Sequence, residues 1–301
     1  MPYIITIGVL ILIGFIVGVM VVLGVTKPNR RSLEDTAIIE EENYPGLMDY
    51  YKKNLTFEYI IQSKYGYNIQ AYYLKNQNNS KKYMVMSHGH TYTHHGCLKY
   101  ARMMMNHGYN VVLYDQRFHG NSGGKFTSLG HYEKDDLYVV ITDTILRYGS
   151  DISIGTYGES MGATTVLLEA KIDNRVKFVV SDCAFSDFTV LLRQLLWQKF
   201  KIPVYPFYWF ALIVFRLFAS ASMRGISPIK DLNTISIPIM FIHGKADDYI
   251  PYTHSVKMYE SYKGNKSLFL AENNAYHAGS YFADQKNYEK SISEFLDNYV
   301  K

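Results

Sequence analysis

A chain of 301 residues with 48% apolar content can bury one large core or two modest ones, which excludes a disordered protein. Its formal net charge is +4, from 31 basic and 27 acidic side chains, so no long-range field favours nucleic acid or a strongly acidic partner. Cys97 and Cys183 stand far apart with no CxxC pair; that argues against a disulfide framework and a thiolate metal site, and for two small buried residues.

The run YIITIGVLILIGFIVGVMVVLGV, residues 3 to 25, carries no charge over a length that as a helix crosses a bilayer core of about 30 Å. Residues 1–26 are expected to form a transmembrane anchor. A cleaved secretory signal is the competing reading, but no basic stretch precedes the run and no small-x-small site follows it. Lys27, Arg30 and Arg31 follow the run while nothing basic precedes it, so the positive-inside rule places the C-terminal domain in the cytoplasm. Residues 27–50 mix both charge signs with little apolar periodicity and read as a juxtamembrane linker or capping segment.

From about residue 55 short β-branched or aromatic runs alternate with helical stretches, the pattern of an α/β fold with a mostly parallel sheet, spanning 51–301. TFEYIIQS and YNIQAYYLK flank a Tyr-Gly pair and suggest an opening hairpin. KYMVMSHG, NVVLYDQR, DISIGTYG, VKFVVSDC, IPIMFIHG and KSLFLAEN then read as buried strands. Residues 186–230 break the alternation with an aromatic-rich stretch too short for a full membrane span. They fit either two helices packed on the core or a helical lid lining an apolar pocket.

The stretch ISIGTYGESMGATTVLLEA sets Ser160 between Gly158 and Gly162 at a strand-to-helix junction. A serine hydroxyl attacks only when a base takes its proton and donors stabilise the oxyanion. A Gly-x-Ser-x-Gly elbow supplies that geometry, and the N–H of Met161, at the helix start, is the natural donor. The acid is expected after a later strand, at Asp247 or its neighbour Asp248, and the histidine after the next, at His277. Loop capping by the aspartates and a solvated surface histidine are the plainer alternatives. The second oxyanion donor is placed at the backbone N–H of His90, after His88 and Gly89. His88, His90, His94 and His95 also admit a metal reading, which the lack of an accompanying acidic ligand disfavours.

HG at 88–89, YDQRFHGNSGG at 114–124, GESMG at 158–162, FIHGKADDYIP at 241–251 and AYHAGSY around His277 together resemble the α/β-hydrolases. More narrowly, they are similar to the membrane-anchored, serine-aminopeptidase-like hydrolases of Gram-positive bacteria. The similarity covers roughly residues 55–300. It implies an α/β-hydrolase fold with a Ser160–Asp247–His277 triad, Asp247 being favoured over Asp248 by H-G-x-x-D-x-x-[VI]-P. It implies oxyanion donors at His90 and Met161, and no metal or organic cofactor. Asp115, Arg117, His119 and Gly120 match a supporting loop in which an Asp115–Arg117 ion pair is expected. The expected activity is hydrolysis of a carboxylic ester with an apolar acyl group through an acyl-enzyme. A serine peptidase and a non-catalytic membrane-tethered binding module are the alternatives.

Overall fold

The apolar runs and the opening hairpin pair into a single eight-stranded sheet in the computed structural model, which describes residues 2–272 and 274–300. From one edge its order is β1 (Leu55–Gln62), β2 (Asn68–Leu74), β4 (Asn110–Tyr114), β3 (Lys82–Ser87), β5 (Ser153–Glu159), β6 (Val176–Asp182), β7 (Ile239–Gly244) and β8 (Lys266–Ala271). β2 pairs antiparallel with both β1 and β4, and every pair from β4 to β8 is parallel. This is an α/β-hydrolase fold.

Successive side chains on a strand point to opposite faces, and a parallel sheet is covered on both. Met84, Met86, Val180, Met240 and Ile242 enter one apolar layer with α4 (Leu98–Asn106) and α11 (Gln285–Tyr299). Val85, Val179, Ile239 and Phe241, from the same strands, enter the other with α5 (Glu133–Tyr148), α6 (Met161–Glu169) and α9 (Thr253–Ser261). Burial on both sides explains why these strands read as continuous apolar runs.

Before the sheet come α1 (Pro2–Thr26), α2 (Leu33–Asn43) and α3 (Leu47–Asn54). α1 is long and apolar enough to cross a membrane. The segment read as a linker is thus largely helical. Ser32 starts α2 with a capping box: its hydroxyl accepts from the Asp35 N–H and the Asp35 carboxylate accepts from the Ser32 N–H, each at 3.0 Å. Apolar periodicity missed this helix because its buried stripe is polar. Thr36 lies 2.7 Å from the Thr93 hydroxyl, and Glu40, one turn on, accepts from the Tyr92 hydroxyl.

The insertion between β6 and β7 contains α7 (Phe188–Gln194) and α8 (Phe207–Ala219). Phe185, Phe188, Leu192, Phe215 and Ala219 form a third apolar cluster with Met161 and with Val22 of α1. The aromatic stretch therefore packs on the domain and on the N-terminal helix.

Candidate active site

Ser160 stands between β5 and α6 with φ 56° and ψ −116°, a left-handed conformation that a non-glycine residue adopts only at a cost. The residues two before and two after it must be glycines. A Cβ on Gly162 would lie 2.0 Å from the Ser87 carbonyl oxygen, and one on Gly158 would lie 2.2 Å from the Gly162 carbonyl oxygen. The turn is pinned by the Ser160 N–H, which donates to the Asp182 carbonyl at 2.8 Å.

Parallel strands end on one edge, so the loops after β5, β7 and β8 meet. Ser160 Oγ lies 2.8 Å from His277 Nε2, and His277 Nδ1 lies 2.7 Å from Asp247 Oδ2. Asp247 Oδ1 accepts from the N–H groups of Tyr249 (3.0 Å) and Ile250 (2.8 Å). Burial would raise the Asp247 carboxyl, but hydrogen bonds from His243 and His277 overcome it and hold the group well below the usual range. Asp248 is exposed and pairs with Lys199 at 3.6 Å. Of the two candidate aspartates, Asp247 is the one in the relay.

Sequence reasoning missed His243. At the end of β7, its Nε2 lies 2.7 Å from the Ile250 carbonyl and 3.2 Å from Asp247 Oδ2, and the Ser255 hydroxyl lies 2.8 Å from its Nδ1. It ties the acid's loop to the strand below. The signal was present as the histidine of the FIHGKAD run, whose spacing was used only to locate the acid.

The loop carrying His90 runs beside the elbow, since a Cβ on Gly89 would stand 3.6 Å from the Ser160 Cβ. Met161 opens α6, so its N–H has no intrahelical acceptor. Neighbouring segments hold the loop. The Thr91 N–H donates to His119 Nε2 (3.1 Å), the Arg31 N–H donates to the Thr91 carbonyl (3.0 Å), and His90 Nε2 lies 3.0 Å from the Val25 carbonyl. The other histidines are engaged by protein groups: His88 accepts from the Gln116 N–H, His94 bonds Asp115, and His95 bonds Thr36. Among the described residues, the His, Cys, Asp and Glu side chains that converge are Cys183, Asp247 and His277, the relay with a buried thiol beside it.

The expected Asp115–Arg117 ion pair is not formed. Asp115 lies 2.9 Å from His94 Nδ1 and accepts from the Tyr72 hydroxyl and the Asn121 N–H at 3.0 Å. Arg117 instead lies over the rings of Tyr132 (4.7 Å), Phe126 (4.8 Å) and Tyr67 (5.4 Å). Two positions on, its side chain leaves on the other side of the loop, where aromatic faces receive it.

Ser160 and His277 open into a cleft of about 560 Å³. Ile39, Tyr44, Tyr92, Tyr249 and Phe282 give it apolar walls, while Glu40, Lys99 and Glu159 line one side. No residue of 186–230 is among those lining it. Lys99 Nζ sits 3.0 Å from Glu159 Oε2 and 3.7 Å from Glu40 Oε1. Burial alone would lower the Lys99 ammonium, but Glu159 and Glu40 hold it well above its ordinary value. Burial raises the Glu40 carboxyl despite Lys99, and Glu40 Oε2 is buried without a hydrogen-bond partner. Behind them Asp182 is raised to about 6, first by burial and then by the Glu159 charge.

A strained serine after a parallel strand, joined to an aspartate and a histidine from the ends of two later strands, places the molecule among the α/β-hydrolases. A model of the prolyl oligopeptidase family matches residues 98–301. The uncharacterised protein YqkD of Bacillus subtilis (strain 168) is 34% identical over 298 residues, covering 96% of this chain and 97% of that one. The chain belongs to the prolyl oligopeptidase family, and the α/β-hydrolase superfamily is what this match and the motif resemblance have in common. An esterase of Pyrococcus furiosus superposes with a TM-score of 0.66 at 23% identity, over 81% of this chain and 91% of that one. An acylaminoacyl peptidase of Pyrococcus horikoshii superposes with a TM-score of 0.62 at 16% identity, over 86% and 44%. These two likenesses are of fold.

Proposed function

We propose that the protein is a membrane-held serine hydrolase that cleaves a carboxylic ester through an acyl-enzyme. Ser160 Oγ attacks the carbonyl carbon as His277 Nε2 takes its proton, and Asp247 stabilises the imidazolium. The N–H groups of His90 and Met161 receive the oxyanion. Collapse expels the alcohol, which takes the proton from His277; water then attacks the acyl-enzyme by the same route and frees the acid. The observation that carries this reading is the Ser160–His277–Asp247 relay, with contacts of 2.8 and 2.7 Å.

α1 serves as the anchor, with the domain on the cytoplasmic side because Lys27, Arg30 and Arg31 follow it. The aromatic walls of the cleft suit an apolar acyl group, and the His90–Val25 contact sets the cleft beside the end of the anchor. The test is turnover of p-nitrophenyl esters of rising acyl length by the full chain in detergent, with Ser160→Ala alongside. Turnover that disappears in the variant is expected. Equal rates in the two proteins would overturn the mechanism.

A peptidase reading is favoured by one specific observation. Glu40 and Glu159 put carboxylates on the wall of the cleft, and Glu40 Oε2 lacks a donor. A free α-amino group entering the cleft would pair with this acidic wall. Release of p-nitroaniline from aminoacyl anilides, but not from their N-acetyl forms, would decide for it over the ester. Failure on both substrate classes would leave the binding-module reading.

A further inference from the structure

α8 packs Tyr208, Ala211, Phe215 and Ala219 on the domain and leaves the rest of its surface to other contacts. Its sequence FYWFALIVFRLFA carries one charge, Arg216, in its last turn. One face lies along α1. The rings of Phe15 and Phe210 meet edge to face at 5.0 Å, and a Cβ on Gly14 would stand 2.1 Å from the Phe210 ring. Gly18 faces the Phe210 backbone, where a Cβ would stand 3.0 Å from its carbonyl carbon. Small residues that let two helix backbones approach are how helices associate in a bilayer. A third face, beside the α1 contact and away from the domain, is a stripe of Trp209, Ile213 and Leu217, at helical spacing of four, exposed by 47%, 46% and 75%. Trp197, Phe200 and Tyr205, just before the helix, are exposed as well. Arg216 and Arg224 edge the stripe, Arg224 lying 5.6 Å from the Trp209 ring, and this many exposed large apolar side chains are unusual on a soluble monomer.

We infer that α8 is a second membrane-embedded element, inserted beside α1 into one leaflet of the lipid bilayer. The inference rests on the reading of α1 as an anchor. Phe15 sits beside Phe210 and Lys27 lies 5.6 Å from the Phe218 ring, so α8 runs alongside the half of α1 nearest the domain. A bilayer that holds α1 at those levels surrounds α8 too. The two helices turn from apolar to cationic at the same level, with Lys27 just past the end of α1 and Arg216 in the last turn of α8. That level suits the phosphate headgroups. With 13 residues α8 reaches about 20 Å, short of the roughly 30 Å hydrocarbon core, so it enters one leaflet and does not cross.

The test uses the full chain in vesicles of equal phosphatidylcholine and phosphatidylglycerol, labelled with an environment-sensitive fluorophore at Leu10→Cys, Ile213→Cys or Leu146→Cys. Cys97 and Cys183 are buried and escape the label. Leu10 lies on α1 and Leu146 is exposed on α5. Nitroxide-bearing lipid is expected to quench the labels at 10 and 213 several-fold more than the label at 146, with aqueous iodide showing the reverse order. Lipid quenching at 10 with iodide quenching at 213 would overturn the inference and leave the anchor standing. A label at 213 reached by neither quencher would mean that protein, such as a second copy, covers the stripe, and would also overturn it. No lipid quenching at 10 would remove the anchor and the inference together. Leu217→Cys, at a more exposed position, repeats the measurement without disturbing the packing against α1.

Discussion

Two buried polar clusters share one cleft, and the fold treats them differently. Around Asp247 the acceptors are matched by donors: two backbone N–H groups on Oδ1, and His277 and His243 on Oδ2. Around Lys99, the carboxyl groups of Glu40 and Glu159 share one ammonium among the described residues, with Asp182 behind them held by the Tyr288 hydroxyl, and Glu40 Oε2 has no donor. A matched cluster fixes the direction of each hydrogen bond, which is what a proton relay needs. An unmatched one holds negative charge at a cost, which an incoming cationic group relieves.

The largest effect should come from breaking the matched cluster. Ser160→Ala is expected to lower kcat on a p-nitrophenyl ester by on the order of 10⁴-fold or more, measured with the full chain in detergent. Asp247→Asn keeps the shape of the relay but leaves His277 Nδ1 without its charged partner. A fall of roughly 10³-fold in kcat with little change in KM is expected, and a variant within tenfold of the parent would mean the acid is idle.

The unmatched cluster predicts smaller and more selective changes. If it receives a substrate amine, Glu40→Gln should raise KM for an aminoacyl anilide about tenfold while leaving ester turnover within about twofold. Equal losses on both substrates would assign Glu40 to the fold. For Asp182, the folded value of about 6 lies above the unfolded 3.8, so between those values the folded chain holds a proton that the unfolded chain has released. Stability should therefore fall as pH rises through this window and level off above it, by at most about 3 kcal/mol. Asp182→Asn should flatten that decline when the urea midpoint is followed against pH.

The strands were legible because burial on both faces makes each a short apolar run, and period and turn chemistry then set their order along the chain. Ser160, Asp247 and His277 were legible because the elbow demands glycines at fixed spacing and each later partner follows a strand. Other features left weaker marks. α2 hides a polar stripe, Thr36 and Glu40, where pattern reading looks for an apolar one, so a wall of the cleft was read as a linker. Glu40 reaches Lys99 only through tertiary packing, 59 positions away, and no local pattern signals that contact. The Asp115–Arg117 pair is expected from the resemblance of this loop to a family motif, but aromatic faces from distant segments take Arg117 instead.

The last turn of α1 has a consequence for proteolysis. The Val25 carbonyl meets the His90 ring and the Thr26 carbonyl accepts from the Thr127 N–H, so this turn is knitted into the loops that frame the elbow. A protease cutting at Lys27 would free the domain and at the same stroke take away the partners that steady the His90 loop. Under the function and anchor proposed above, the shed form would be a poorer catalyst as well as a relocated one, and release from the membrane would act as an off switch.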